Sequence, residues 1–336
     1  MKAVGLFRSL PIADEDSLLN LELPDPEPGP RDLLVRVEAA SVNPVDSKQR
    51  GRVAAARLET PVILGYDAAG TVMSTGAAVD RFKPGDRVFY AGDISRQGSN
   101  AQMQAVDARL AAHAPKSWPA ADSAAMPLTA LTAWEALFDR LRMTEGGEAD
   151  RSLLVIGGAG GVGSIAIQLA KKLTRLQVIA TASRPETAEW CRSLGADVIV
   201  DHRDLVASLR ATGRASVDAI FNTADTKVHW DAMVELIAPQ GSICAIVGSQ
   251  GGVELSQLQQ KSATFAWEYM FTRSRFATPD MARQGEILAR IAAMADEGAL
   301  RSTCRTVLEG LSAAVLRDAH ARIESGRTIG KIAIRY

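Results

Sequence analysis

The run Leu153-Leu154-Val155-Ile156-Gly157-Gly158-Ala159-Gly160-Gly161-Val162-Gly163-Ser164 decides the fold. Its first four residues are continuously apolar, as in a strand covered on both faces. From Ser164 to Leu173 the apolar residues Ile165, Ala166, Ile167, Leu169 and Ala170 follow a helical period, and Gln177 to Ala182 is a second β-rich run. Strand, glycine turn, helix and strand fit within about 30 residues, the size of a βαβ unit. Gly158, Gly160 and Gly163 match a dinucleotide fingerprint, in which glycines allow a tight turn, backbone approach to a pyrophosphate and close helix–sheet packing. Gly158, Ala159, Gly160, Gly161, Val162 and Gly163 are therefore candidate cofactor contacts, the phosphates resting on N–H groups at the helix start. Glycine clusters also occur in ordinary turns, but here strand and helix flank the cluster. No Lys follows Gly163, which disfavours a P-loop.

Working outward, the 336 residues suit two domains with an ample core. Lys and Arg number 38 against 39 Asp and Glu, so neither a nucleic-acid footprint nor a membrane-surface patch is implied. Three widely spaced cysteines, Cys191, Cys244 and Cys304, argue against a disulfide framework and for a reducing compartment. The start enters a strand-like run and no apolar stretch is long enough to span a bilayer, so a cytoplasmic α/β protein is expected.

Residues 1 to about 120 look β-rich. Leu33 to Ala39 alternates, Val62-Ile63-Leu64 is a short apolar run, and Pro84-Gly85-Asp86 is a turn before Val88-Phe89-Tyr90. From about Ser123 the rhythm is α/β. Helices are expected over Pro185–Leu194, Leu205–Ala211 and Val228–Ile237, alternating with strands at Val198–Val200, Val217–Phe221 and Ile243–Val247. Met281–Glu297 and Leu311–Glu324 read as helices, and Lys331–Ile334 as a last strand. The expected layout is a doubly wound parallel sheet inserted in a β-rich domain.

Five motifs then occur in order: Asn43-Pro44-Val45-Asp46 with Arg50 and Gly51, Pro61 to Val72, Pro84 to Val88, Leu131-Thr132-Ala133, and the glycine loop. Together they resemble the medium-chain dehydrogenase/reductase superfamily, in its quinone oxidoreductase-like branch. The stretches from Met270 and around Gly330-Lys331-Ile332 resemble the bacterial subgroup called zinc-type alcohol dehydrogenase-like. The resemblance implies an α/β fold: a GroES-like catalytic domain over 1–122 and 272–336, and a Rossmann dinucleotide-binding domain over 123–271. Zinc-dependent relatives carry a Cys at the position of Asp46 and a Gly-His-Glu stretch where this chain has Gly65-Tyr66-Asp67. The four closely spaced cysteines of a structural zinc lobe are missing from 90–115. No zinc is expected, because tetrahedral zinc wants thiolate or imidazole donors.

The second strand of the βαβ unit ends in Ser183-Arg184, with no acid to bind ribose hydroxyls. A hydroxyl and a guanidinium suit a 2′-phosphate, so NADPH is the expected cofactor. In the other reading Arg184 only opens a solvated helix. By resemblance His202 stands where relatives carry a Tyr near that phosphate, Thr132 lies near the carboxamide, and Val247-Gly248 near the nicotinamide ring. Asn43 and Lys48 are the candidate catalytic donors for charge growing on a carbonyl oxygen, although Lys48 also reads as part of a solvated loop face. Trp267, Tyr269, Met270 and Phe271 form an aromatic-rich stretch that in relatives lies where two subunits meet and near the cleft, so a substrate-lining role is one reading and core packing the commoner one; the resemblance also implies a homodimer. The expected activity is NADPH-dependent, metal-free reduction of quinones or similar conjugated carbonyls. Enal or enone double-bond reduction and a non-catalytic, crystallin-like NADPH-binding role are the alternatives.

Overall fold

The computed structural model describes residues 1–248 and 251–336. Strands are β1 (Lys2–Leu6), β2 (Leu19–Glu22), β3 (Asp32–Val42), β4 (Val62–Ile63), β5 (Ala68–Thr75), β6 (Arg87–Tyr90), β7 (Met103–Asp107) and β8 (Ala111–His113). They continue with β9 (Ser152–Ile156), β10 (Gln177–Thr181), β11 (Val198–Val200), β12 (Val217–Asn222), β13 (Ile237–Ala245) and β14 (Thr264–Trp267). The last two are β15 (Cys304–Glu309) and β16 (Lys331–Arg335). The chain forms two compact units, Met1–Leu131 with Phe271–Tyr336, and Thr132–Met270. The first unit thus runs on to Leu131 rather than stopping at 122, because the Ala120–Ala124 helix packs on β3, β5 and β16.

In the first unit β2, β1 and β4 form a small antiparallel sheet. A larger sheet has the order β15-β16-β3-β5-β6-β8. β3 pairs with β7 along Asp32–Arg36 and with β16 along Ala39–Val42. Alternation along β3 sends Leu33, Val35 and Val37 into a core with Val72, Phe82, Val88 and Val106. Ser41 and Val42 at the end of β3, and Asn43 just after it, are buried as well.

The second unit is a parallel sheet in the order β11-β10-β9-β12-β13-β14. Every residue of β9 is buried, as its apolar run requires. The chain leaves β9 toward β10 and β11, then crosses to β12, so the order reverses between β9 and β12. Ligands of such sheets bind at the strand ends beside that reversal. Two features depart from the sequence reading. β13 starts at Ile237 and runs through Pro239 and Gly241, with its register against β12 shifting between Val217 and Ala219. β14 was not expected as a strand, because Trp267 read as part of the aromatic stretch that follows it; it is the sheet's edge, with Trp267 50% exposed.

After the Pro127–Trp134 helix the chain widens into a π-turn over Glu135–Arg140, in which the Leu141 N–H donates to the Ala136 carbonyl at 2.9 Å. Residues five apart share a face in a π-helix, so Glu135 and Arg140 both reach the buried carboxyl of Glu268. Arg140 Nε donates to Glu268 Oε2 at 2.8 Å, and Glu135 shares a side-chain hydrogen bond with it. Burial first, and the Glu135 charge second, push the Glu268 carboxyl up from 4.5 to about 8. The folded chain therefore holds a proton that the unfolded chain releases near 4.5, so this group's contribution to stability falls as pH rises between those values. Glu268→Gln, which keeps the neutral shape, is expected to lessen the fall in Tm between about pH 5 and about pH 9 by at least ~2 °C. Parallel melting curves for the two proteins would contradict this assignment.

Candidate functional site

The glycine loop is built at the carboxyl end of β9. Gly157 takes φ +84, a left-handed conformation that closes the turn, and a Cβ there would fall 2.3 Å from Thr223 Oγ1. The Gly157 N–H donates to Thr181 Oγ1 at 2.9 Å, and the Thr223 hydroxyl donates to the Ile156 carbonyl at 2.7 Å. Gly158 sits against β10, where a Cβ would be 2.9 Å from Ala180 Cβ. Gly163 holds the Gly161–Leu173 helix against the turn, since a Cβ there would lie 2.3 Å from the Gly157 carbonyl oxygen. Gly160 caps that helix, and a Cβ on it would come no nearer than 3.5 Å to Gly157 O. The protein itself leaves room there. A glycine that the fold does not need, beside the unpaired N–H groups of Gly161, Val162 and Gly163 at a helix start, is a cradle for an anion. Ala159 is buried behind it.

Thr181 of β10 pairs with Val200 of β11, so Ser183-Arg184 and His202 leave the ends of adjacent strands. Arg184 is half-buried and its Nε lies 3.2 Å from Glu186 Oε1. His202 is exposed, with its ring edge-on to His229 at 6.3 Å. Burial, then the neighbouring His202, lowers the His229 pKa. Beyond β13, Val247 accepts a hydrogen bond from the Thr226 hydroxyl at 2.5 Å, and Gly248 is exposed. Thr132 is buried in the Pro127–Trp134 helix at the start of this unit.

In the first unit a buried polar cluster surrounds Asn43. Lys331 of β16, 3% exposed, donates to the Val42 carbonyl at 3.0 Å, to Asn43 Oδ1, and to Asp67 Oδ2 at 3.2 Å. Asp67 Oδ2 also accepts from Ser41 Oγ and Asn43 Nδ2, each at 2.7 Å, and its Oδ1 accepts from the Leu128 N–H at 2.7 Å. Asp46 Oδ2 reaches back to the Asn43 N–H at 2.8 Å while its Oδ1 accepts from the Gly65 N–H at 3.0 Å. Even so, complete burial outweighs those bonds and pushes Asp46 up to about 7. Asn43 is 1% exposed with its amide oriented by Lys331 and Asp67, so at most one Nδ2 hydrogen is left for a substrate. Lys48 lies exposed on the Pro44–Arg52 helix.

Residues 29–116 match the alcohol dehydrogenase GroES-like domain, and residues 194–334 match the zinc-binding dehydrogenase family. A zinc-type alcohol dehydrogenase-like protein of Staphylococcus aureus is 42% identical over 337 residues, 99% of each chain. The chain belongs to the medium-chain dehydrogenase/reductase superfamily. A solved structure from Rhizobium etli CFN 42, assigned as a zinc-dependent alcohol dehydrogenase, superposes with a TM-score of 0.94 at 46% identity, covering 100% of this chain and 98% of that one. Escherichia coli quinone oxidoreductase, solved with NADPH, shares the fold at a TM-score of 0.82 and 23% identity, each chain covered in full at 100%. This medium-chain dehydrogenase/reductase chain is thus an oxidoreductase.

The family's zinc does not fit these residues. At the ligand positions Asp46 has both oxygens on backbone N–H groups, and Asp67 is held by an ammonium and three further donors. Among the described residues no group of three or more His, Cys, Asp or Glu is placed to hold a metal. A cation is already built into the chain there, and it repels a second one.

The roles of five residues in these clusters were not legible in the sequence. Gly157 and Thr181 close the loop, and Thr223 anchors it. The signal for Gly157 was its place directly after the last strand residue, where a turn demands positive φ. Asp67 and Lys331 drew notice only as a departed zinc ligand and as a strand start. Burial and long-range pairing carry their roles, and periodicity does not report these.

Two outcomes follow from this geometry. Gly160→Val is expected to fold with a Tm within about 2 °C of wild type yet lose dinucleotide binding, whereas Gly163→Ala is expected to cost about 1–3 kcal/mol of stability from overpacking. A Gly160→Val protein with unchanged affinity by fluorescence titration would move the pyrophosphate elsewhere. Metal analysis is expected to find far less than one zinc per chain, with activity kept after dialysis against chelator. Stoichiometric zinc whose removal abolishes activity would contradict the reading of Asp46 and Asp67.

Proposed function

We propose that this oxidoreductase transfers hydride from NADPH to quinones or similar conjugated carbonyls, without a catalytic metal. The observation that carries the reading is the cradle at Gly160, which the fold leaves open, followed by strand ends that offer Ser183, Arg184 and His202 in place of an acid. A 2′-phosphate would draw the Arg184 guanidinium from its exposed pair with Glu186, a pair worth little in water. Two solved neighbours of the same fold, from Escherichia coli and a mycobacterium, hold NADPH, and a tomato relative 40% identical over 179 residues is a 2-methylene-furan-3-one reductase.

The bound nicotinamide would supply the hydride. The chain's residues bind, orient and stabilise. The first turn of the Gly161–Leu173 helix holds the pyrophosphate, and Thr132 and Val247-Gly248 flank the nicotinamide end. The remaining Asn43 N–H, with Lys48 from the following helix, meets negative charge growing on the acceptor oxygen. Lys331 and Asp67 keep the Asn43 amide from turning over.

The test is oxidation of NADPH and of NADH with 1,4-benzoquinone and a short enone. Turnover is expected with NADPH preferred, and Arg184→Ala is expected to cut that preference about tenfold or more, the scale of one lost charge-assisted contact. Preference for NADH in the wild type would reject the cofactor assignment, and NADPH binding without turnover of any acceptor would favour a non-catalytic role.

A further inference from the structure

The first unit holds a cavity of about 330 Å³ beside the helix that follows Asn43 and carries Lys48. Small-molecule sites are of this size and combine apolar walls with a few placed polar groups. Leu64 and Tyr66, 1% and 4% exposed, form its floor with Val62 of β4. Tyr66 is the residue before Asp67, and its ring stands edge-on to Phe271 at 5.3 Å, which fixes the plane it offers.

The polar lining divides into groups already used and groups left over. Arg96 forms a bidentate pair with Asp32, at 2.9 and 2.7 Å. Gln97 accepts from the Ile63 N–H at 2.7 Å and donates to the Pro61 carbonyl at 3.1 Å. The Ser95 hydroxyl is turned onto Asp93 at 2.7 Å. Arg52 remains: it is exposed on the last turn of the Pro44–Arg52 helix and, among the described residues, makes no ion pair. One turn earlier Gln49 adds an amide to the same wall. The cavity thus presents an apolar floor, an aromatic face and one uncompensated guanidinium, a donor fork suited to a carboxylate.

We propose that this cavity selects acceptors that carry an anionic substituent: planar one- or two-ring conjugated carbonyls whose carboxylate, or similar group, is held by Arg52 and Gln49 while the ring lies over Leu64 and Tyr66. The proposal rests on the reductase reading above, but the cavity can be probed without turnover. Calorimetry with 2-naphthoate, which accepts no hydride, and with neutral 2-naphthol separates charge recognition from ring packing. Naphthoate is expected to bind the wild-type protein, with affinity about tenfold or more lower in Arg52→Gln and largely restored in Arg52→Lys, while 2-naphthol discriminates little among the three. Naphthoate that does not bind, or binds equally to Arg52→Gln, overturns the proposal. In turnover, the kcat/KM ratio of 1,4-naphthoquinone-2-sulfonate to 1,4-naphthoquinone is expected to fall about tenfold in Arg52→Gln, through KM. An unchanged ratio overturns the proposal even if both quinones are reduced. Arg52-dependent naphthoate binding without turnover of either quinone supports the cavity and rejects the reductase reading instead.

Discussion

The buried pair of Lys331 and Asp67 is the constraint on which the first unit's polar cluster depends. It joins the last strand of the chain to the end of β3, to the loop after Gly65 and to the start of the Pro127–Trp134 helix. A charge withdrawn from water costs several kcal/mol unless its partners replace the solvent. Here replacement is nearly complete, because Asp67 accepts four hydrogen bonds and sits at a helix N-terminus, where the backbone dipole favours an anion. Losing either partner would strand the other charge, at a cost of roughly 3–5 kcal/mol. A pair this costly to break is a stiff one, and Asn43 inherits the stiffness through both ends of its amide.

The second unit is organised by a different constraint, the steric one at the glycine loop. Gly157 sets the direction of the turn, Gly158 lets it lie on β10, and Gly163 brings the helix within reach of the turn's own carbonyl. These three serve the fold. Gly160 does not, and the contrast is one of space alone. A motif cannot make that separation, because all four residues are the same letter.

That contrast also marks how far the sequence could be read. The apolar run at Leu153–Ile156, the helix to Leu173 and the parallel alternation after it were legible, since each rests on local period and ends in a residue with a local reason, such as Gly195 at φ +110 after the Pro185–Ser193 helix. β13 was misplaced at its start because Pro239 and Gly241, ordinarily breakers, sit inside it where its register against β12 slips. The elevated pKa of Asp46 was invisible, because it comes from complete burial, which local period does not report. Arg52 passed as one more surface cation. Only the pairing of Arg96 with Asp32 and of Gln97 with backbone shows which polar group of that wall has been left over.

An ammonium has three hydrogens, and those of Lys331 meet three acceptors: Val42 O, Asn43 Oδ1 and Asp67 Oδ2. A catalytic zinc keeps one position open for the reacting oxygen; Lys331 keeps none. The buried cation therefore stands where the family's metal chemistry would be done without being able to do it. Its effect on a substrate is indirect, through the carboxamide it orients. Direct stabilisation of an oxyanion must come from a donor with a hydrogen to spare. In the first unit the second Nδ2 hydrogen of Asn43 meets that condition. A fixed, dry amide costs little reorganisation when charge develops. In the proposed reaction Asn43 would be the group that meets the oxyanion, with Lys331 and Asp67 as the groups that position it.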